Sequence, residues 1–163
     1  MQITTYNSPI GKLYIATADD AVVAISDKPF SEDYFEKLDQ YPTVEVPGGS
    51  INNINEQLDI YFSGKRQHFD LNMQIHGTDF QQAVWKACAS IPYGETRSYA
   101  DLANMIGKPQ ASRAVGMALG ANPIPIVIPC HRVIGSSGKL TGFGGGLDVK
   151  KALLELEGID CKD

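Results

Sequence analysis

"SYADLANMIGKPQASRAVGMALG", residues 98–120, decides how the chain folds. Ser98 followed three residues later by Asp101 is a capping-box start. Gly107 and Pro109 end that helix, and a second is expected from about Ala111 to Leu119. Two short helices joined by such a turn outline a helix-turn-helix. The second helix is unusual: Ala111, Ser112, Ala114, Gly116, Ala118 and Gly120 leave it almost without bulk, and Arg113 stands out as its long side chain. A major-groove reader carries several side chains that reach base edges. This helix does not, which leaves two readings: tight packing against a neighbour, or close approach of its backbone to a DNA minor groove with Arg113 inserted into the stack.

Just upstream, "TDFQQAVWKACASIP" places Phe80, Val84, Cys88 and Ile91 at core-facing helical spacing behind a Thr78 or Asp79 cap, so Cys88 reads as packing. Further back the periodicity changes. "QITTYN", "KLYIAT" and "AVVAIS", separated by the turns "SPIG" and "ADD", read as an antiparallel meander. "SEDYFEKL" suggests a short helix with Ser31 as N-cap. In "INNINEQLDIYFSG", Ile51, Ile54, Leu58 and either Tyr61 or Phe62 share a helical face that stops at Gly64. "HFDLNMQIH" alternates Phe69, Leu71, Met73 and Ile75 as a strand or extended connector. From residue 78 onward the pattern is helical. An α+β chain is therefore expected: a small antiparallel sheet plus helix over residues 1–77, then a mainly helical domain with a helix-turn-helix over 78–163.

The net charge of −5 argues against a nucleic-acid partner until the two parts are counted separately. Residues 1–77 carry five Lys and Arg against eleven Asp and Glu, whereas residues 78–163 carry nine against eight. The second part is the one able to present a basic patch to a polyanion. No basic region leads into a long apolar run at the N-terminus and no segment approaches the length of a membrane span. Cys88, Cys130 and Cys161 are odd in number and far apart, which fits a reducing compartment rather than a disulfide framework. A soluble, cytoplasmic protein with no membrane partner is expected, nuclear if the cell has a nucleus.

Chemistry concentrates in "NPIPIVIPCHRVIGSSGKLTGFGGG", residues 122–146. A free thiol has a pKa of about 8.5, so a nucleophilic Cys130 needs a base or a positive environment. His131 is adjacent, but neighbours in extended chain point to opposite sides, and a thiol–imidazole link there needs a turn or a bridging water. A core role for Cys130 stays open at this point. A metal site is disfavoured, since Cys130 and His131 lack two further ligands at suitable spacing while His68 and His76 lie in the other part. "GFGGG" is neither a dinucleotide fingerprint nor a Walker loop. It reads as a turn into the helix "LDVKKALLELEG", or as glycines that let backbone N–H groups reach a ligand. Glu157 ends that helix, either solvated or turned inward to orient His131.

Residues 80–158 resemble the C-terminal domain of the O6-alkylguanine-DNA alkyltransferases. "IPYGETRSYADLA", "ASRAVGMALGANPIPIVIPCHRVIGSSGKLTGF" and "GGLDVKKALLELEG" follow that family in order and spacing. Residues 1–77 resemble its variable N-terminal domain loosely, through "SPIGKLYIA". The resemblance implies a ribonuclease H-like first domain, a winged helix-turn-helix second domain, and repair of duplex DNA by one irreversible transfer per molecule. The substrate would be O6-alkylguanine, with O4-alkylthymine a further candidate, and the protein would act as a monomer, with cooperative binding along DNA left open.

Cys130 would accept the alkyl group, His131 would deprotonate it through a water, Glu157 would polarise the histidine, and Asn122 would hold the turn. Tyr99 would crowd the phosphate and protonate the leaving base. Arg113 would fill the vacated place in the stack, and Ser98, Ser112 and Ser136 would contact the backbone. Pro125, Val133, Phe143 and Gly144 would line the base pocket, with no cofactor and no metal. Phe143 and Gly144 depart from the tyrosine and serine common in the family, which removes one hydroxyl donor near the leaving oxygen. Two other classes remain: a cysteine hydrolase, and a winged-helix regulator with a redox-sensing thiol.

Overall fold

The computed structural model describes residues 1–49, 54–65, 68–143 and 145–161. It divides into two compact units, Met1–Gln82 with Pro123–Pro125, and Ala83–Asn122 with Ile126–Asp163.

The first unit is built on the expected meander. Strands β1 (Gln2–Ser8), β2 (Gly11–Ala18) and β3 (Ala21–Ser26) pair antiparallel in sequence order. The two-residue connection after β2 has Asp19 at φ 51° and Asp20 at φ 63°, the left-handed pair that matches strand twist and that aspartate tolerates. Strand β3 is buried along most of its length, because β2 flanks it on one side and β5 (Met73–His76) on the other.

The sheet is not purely antiparallel as expected: β3 and β5 run parallel, and β4 (Thr43–Val46), a strand the sequence did not reveal, pairs antiparallel with β5 at the far edge. Its Pro and Gly neighbours read as loop, and a four-residue edge strand exposed over Thr43–Glu45 carries little periodicity. Helix α1 (Tyr34–Leu38) starts later than expected, with Asp33 and not Ser31 at its N-cap; the Ser31 hydroxyl donates to the Asp33 carboxylate instead. In α2 (Ile54–Phe62) it is Tyr61 that is buried with Ile54 and Leu58, while Phe62 is half-exposed. Ile51 lies outside the described residues.

The second unit contains most of α3 (Asp79–Ala89), then α4 (Tyr99–Met105), α5 (Ser112–Gly120), α6 (Leu147–Leu156) and a small parallel ladder of β6 (Arg97–Ser98) with β7 (Val133–Ile134). Thr78 and Gln81 cap α3 reciprocally, at 3.1 and 3.0 Å. The Ser98–Asp101 capping box of α4 is present as expected. Gly107, at φ 74°, turns the chain between α4 and α5. Val84, Trp85, Cys88, Leu102, Val115, Leu119, Leu153 and Leu154 form the core, and the Trp85 indole donates to the Ala118 carbonyl at 2.8 Å, tethering the end of α5. No helix among the described residues is long and apolar enough to cross a membrane.

Candidate functional site

The segment from Ile126 to Arg132 converts the adjacency of Cys130 and His131 into a site. Ile126 sits at φ 73°, an uncommon conformation for a β-branched residue, and bends the chain. Asn122 Nδ2 and the Cys130 amide each donate to the Ile128 carbonyl at 2.8 Å. The Arg132 amide donates to Pro129 O at 2.9 Å, closing a single 3-10 turn over Cys130–Arg132. Every residue of that turn is buried, and Cys130 retains 9% exposure. Of the turn and the bridging water that the sequence left open, the turn is present, and it sends the imidazole inward.

Glu157, the C-cap of α6, receives it. His131 Nε2 lies 2.6 Å from Glu157 Oε2, both side chains without solvent exposure. Arg132 grips the same carboxylate, Nε to Oε1 at 2.7 Å and a terminal nitrogen to Oε2 at 3.2 Å, while its other terminal nitrogen donates to Ile91 O at 2.7 Å. The Gly94 amide adds a contact at 3.3 Å and the Tyr93 ring lies 5.7 Å from the guanidinium carbon. Of the two readings of Glu157, the inward one holds. The carboxylate is fixed by charge-assisted bonds on both oxygens, which is what a buried charge requires.

Electrostatics follow from burial. Burial pushes the Cys130 thiol up, opposed by the Asn122 side-chain bond, the Lys150 charge and the local amides. Burial likewise pulls the His131 imidazole down, against the favourable Glu157 contact. At neutral pH the pair is thus thiol beside neutral imidazole: the sulfur needs a base, and the base is in the protonation state to act. With Nε2 committed to Glu157, base chemistry falls to Nδ1. Cys88 is pushed well above the usual thiol range, chiefly by burial, and stays a packing residue.

Tyr99, at the start of α4, donates its hydroxyl to Thr141 O at 2.9 Å and meets the Thr141 hydroxyl at 3.3 Å. Lys150, buried in α6, donates to the same Thr141 carbonyl at 2.8 Å and to Gly142 O at 3.4 Å, with its nitrogen 5.8 Å from the Tyr99 ring centre. Burial pulls its ammonium down to about 8. Sequence reasoning missed Lys150, Arg132 and Thr141. The signal for Lys150 was there: residues 150, 153, 154 and 157 share the buried face of α6, so a lysine stands where an apolar residue would.

Phe143 is half-exposed, and its ring lies where a Cβ on Gly145 would meet it at 3.1 Å, so that glycine is needed for close approach. Gly144 lies outside the described residues. Val133 is fully buried in β7. Pro125 groups with the sheet unit, next to Pro123, which accepts a bond from Ile25 at 2.8 Å. A hydroxyl at position 143 adds a donor beside the glycine run without adding to the ring's footprint.

The remaining residues surround α5. Val115, Ala118 and Leu119 are buried, while Arg113, Ala114, Met117 and Gly120 face outward. The packing reading holds for the inner face of this helix, and its outer face carries Arg113 among small residues. Gly116 sits beside Tyr99, whose ring carbons lie 3.8 Å from where a Cβ would be. Ser98 spends its hydroxyl on the α4 cap, Ser112 is half-buried and Ser136 is exposed in the turn after β7. Among the described residues no group of three or more His, Cys, Asp or Glu side chains is arranged to hold a metal ion.

Comparison with known proteins places these features in a family. The 6-O-methylguanine DNA methyltransferase DNA binding domain matches residues 79–159, and the ribonuclease-like domain of the same family matches residues 1–75. A methylated-DNA–protein-cysteine methyltransferase of Mycobacterium bovis is 49% identical over 94% of this chain and 90% of its own length. One from Methanosarcina acetivorans is 42% identical over 97% and 99%. The crystal structure of Mycobacterium tuberculosis OGT in complex with DNA superposes with a TM-score of 0.83, at 45% identity, covering 97% of this chain and 93% of that one.

Proposed function

This chain belongs to the 6-O-methylguanine DNA methyltransferase family, and on that premise we propose that it repairs duplex DNA by moving the alkyl group of O6-alkylguanine onto Cys130, once and irreversibly. The observation that carries the reading is the buried 2.6 Å contact of His131 with Glu157, formed by the turn that also carries the thiol.

His131, through a water, takes the thiol proton, and Glu157 stabilises the imidazolium. The sulfur lone pair forms a bond to the alkyl carbon as the bond from that carbon to O6 breaks. The electron pair passes to the guanine, which is protonated from Tyr99. A thioether on Cys130 has no leaving group, so the protein is spent. Asn122 holds the turn. Phe143, beside Gly145, and Val133 stand on the side of the turn that would receive the base.

The lesion is reached by flipping, at a cost of a few kcal/mol. The small outward residues of α5 suit close approach to a minor groove, with Arg113 as the stacked replacement and Ser98, Ser112 and Ser136 toward phosphates. Little sequence preference follows, because α5 presents no set of polar side chains able to hydrogen-bond base edges. Residues 1–77 serve as the supporting domain and 78–163 as the DNA-binding and acceptor domain, in a monomer acting on cytoplasmic DNA, or nuclear DNA in a eukaryote.

Mass spectrometry after incubation with an O6-methylguanine duplex tests this. One added methyl group on the Cys130 peptide and none on Cys88 or Cys161 is expected. Binding of the lesion without any adduct sinks the reading, and repeated turnover would point to a hydrolase.

A further inference from the structure

Met117 is the most exposed large hydrophobic side chain in the second unit, at 78%, and it stands on the one helix whose other outward residues are nearly bare. It lies four residues after Arg113, on the same outward stripe and opposite Val115, Ala118 and Leu119. That spacing puts it about 6 Å further along the helix, nearly two base-pair steps. Between and beside them are Ala114, Gly116 and Gly120, so nothing bulky shields either side chain.

A flexible, polarizable thioether standing alone among small residues is free to adapt its shape to a surface brought close to that face. The face is continuous with Arg113 and Tyr99, and methionine is among the apolar residues that unstack base steps from the minor groove. Resting on the function proposed above, we infer that Met117 is a second minor-groove contact, an apolar partner to Arg113 that lies against the sugars and base edges next to the extruded nucleotide. The division of labour is specific. Arg113 supplies charge as well as volume, so its contribution is salt-dependent. Met117 supplies desolvated apolar area alone and displaces no counterion.

The experiment measures binding of the full chain to a duplex carrying O6-methylguanine across a salt series, by fluorescence anisotropy. Met117→Ala is expected to weaken binding about tenfold, the scale of burying one methionine side chain, with the slope of log affinity against log salt unchanged. Met117→Leu should restore most of the loss. Arg113→Ala should make the slope shallower by about one unit. Met105→Ala, which removes a 51% exposed methionine from α4, controls for loss of any surface methionine and should match the wild type.

Thermal melting of each variant checks the fold. Unchanged affinity in Met117→Ala, a changed salt slope, or an equal loss in Met117→Leu or Met105→Ala overturns the inference. Failure of the function itself would look different: wild-type protein that gains no methyl group on Cys130.

Discussion

Cys130→Ser is expected to transfer no alkyl group on any measurable timescale while keeping its fold and its affinity for the lesion. Serine is nearly the same size, so the 3-10 turn and its bonds to Ile128 and Pro129 need not move. The Asn122 side chain that bonds the sulfur can bond a hydroxyl in the same place. What changes is the nucleophile. Burial already holds the thiol above its ordinary range, and a neutral imidazole recovers it because a thiol is acidic enough to yield. A hydroxyl is far less acidic and a weaker nucleophile at carbon, and the same base cannot compensate. Single-turnover transfer with labelled duplex, alongside anisotropy binding, measures both halves. Residual transfer in Cys130→Ser would move the acceptor elsewhere.

Glu157→Ala produces the second large effect, on stability and on chemistry together. The carboxylate is fully buried and answers the Arg132 guanidinium and His131. Removing it strands a permanent cation in the core, at a cost of about 3–5 kcal/mol. For a chain of 163 residues that is a fall in melting temperature of about 10 °C. Glu157→Gln keeps the volume and an acceptor oxygen but still leaves the Arg132 charge unanswered, so it should also be destabilised, though less than Glu157→Ala; with imidazolium formation unsupported, transfer should slow by at least about 100-fold.

The pH dependence carries the same signature. Burial depresses His131, so the folded protein binds its proton less readily than the unfolded chain does. Stability from this group is present above about pH 6.5 and falls as pH drops below that value toward the depressed folded pKa. The acid limb of the rate profile in the wild type should likewise lie below the ordinary imidazole pKa. Equal melting points for wild type and Glu157→Ala would refute the network as described.

Much of this was legible before any coordinates. The Ser98–Asp101 box, the Gly107 turn and the meander rest on local rules, and local rules survive folding. The parallel β3–β5 pairing was not legible, because nothing in either strand names a partner some fifty residues away. Ser31 failed as a cap for a similar reason: its hydroxyl had a better local acceptor in Asp33. At the site, the roles of Cys130 and His131 depended on a turn that periodicity could not supply, and the direction of Glu157 depended on Arg132, which the sequence hides as one more basic residue. Lys150 and Met117 were overlooked for opposite faults: a charge buried where charges are costly, and an apolar side chain exposed where the helix was read as bare.

The short ladder of β6 with β7 links two ends of the unit. Arg97 faces Val133 and Ser98 faces Ile134 across it. Ser98 is the cap of α4, and Val133 immediately follows the turn that carries the thiol. Two paired residues are all that separate the reacting sulfur from the front of the helix-turn-helix. On the function proposed above, a methyl group added to the packed Cys130 sulfur would press on that turn, whose next residue pairs with the strand that runs into the α4 cap. The turn that carries the thiol and the cap that opens the helix-turn-helix thus stand at the two ends of one short backbone pairing.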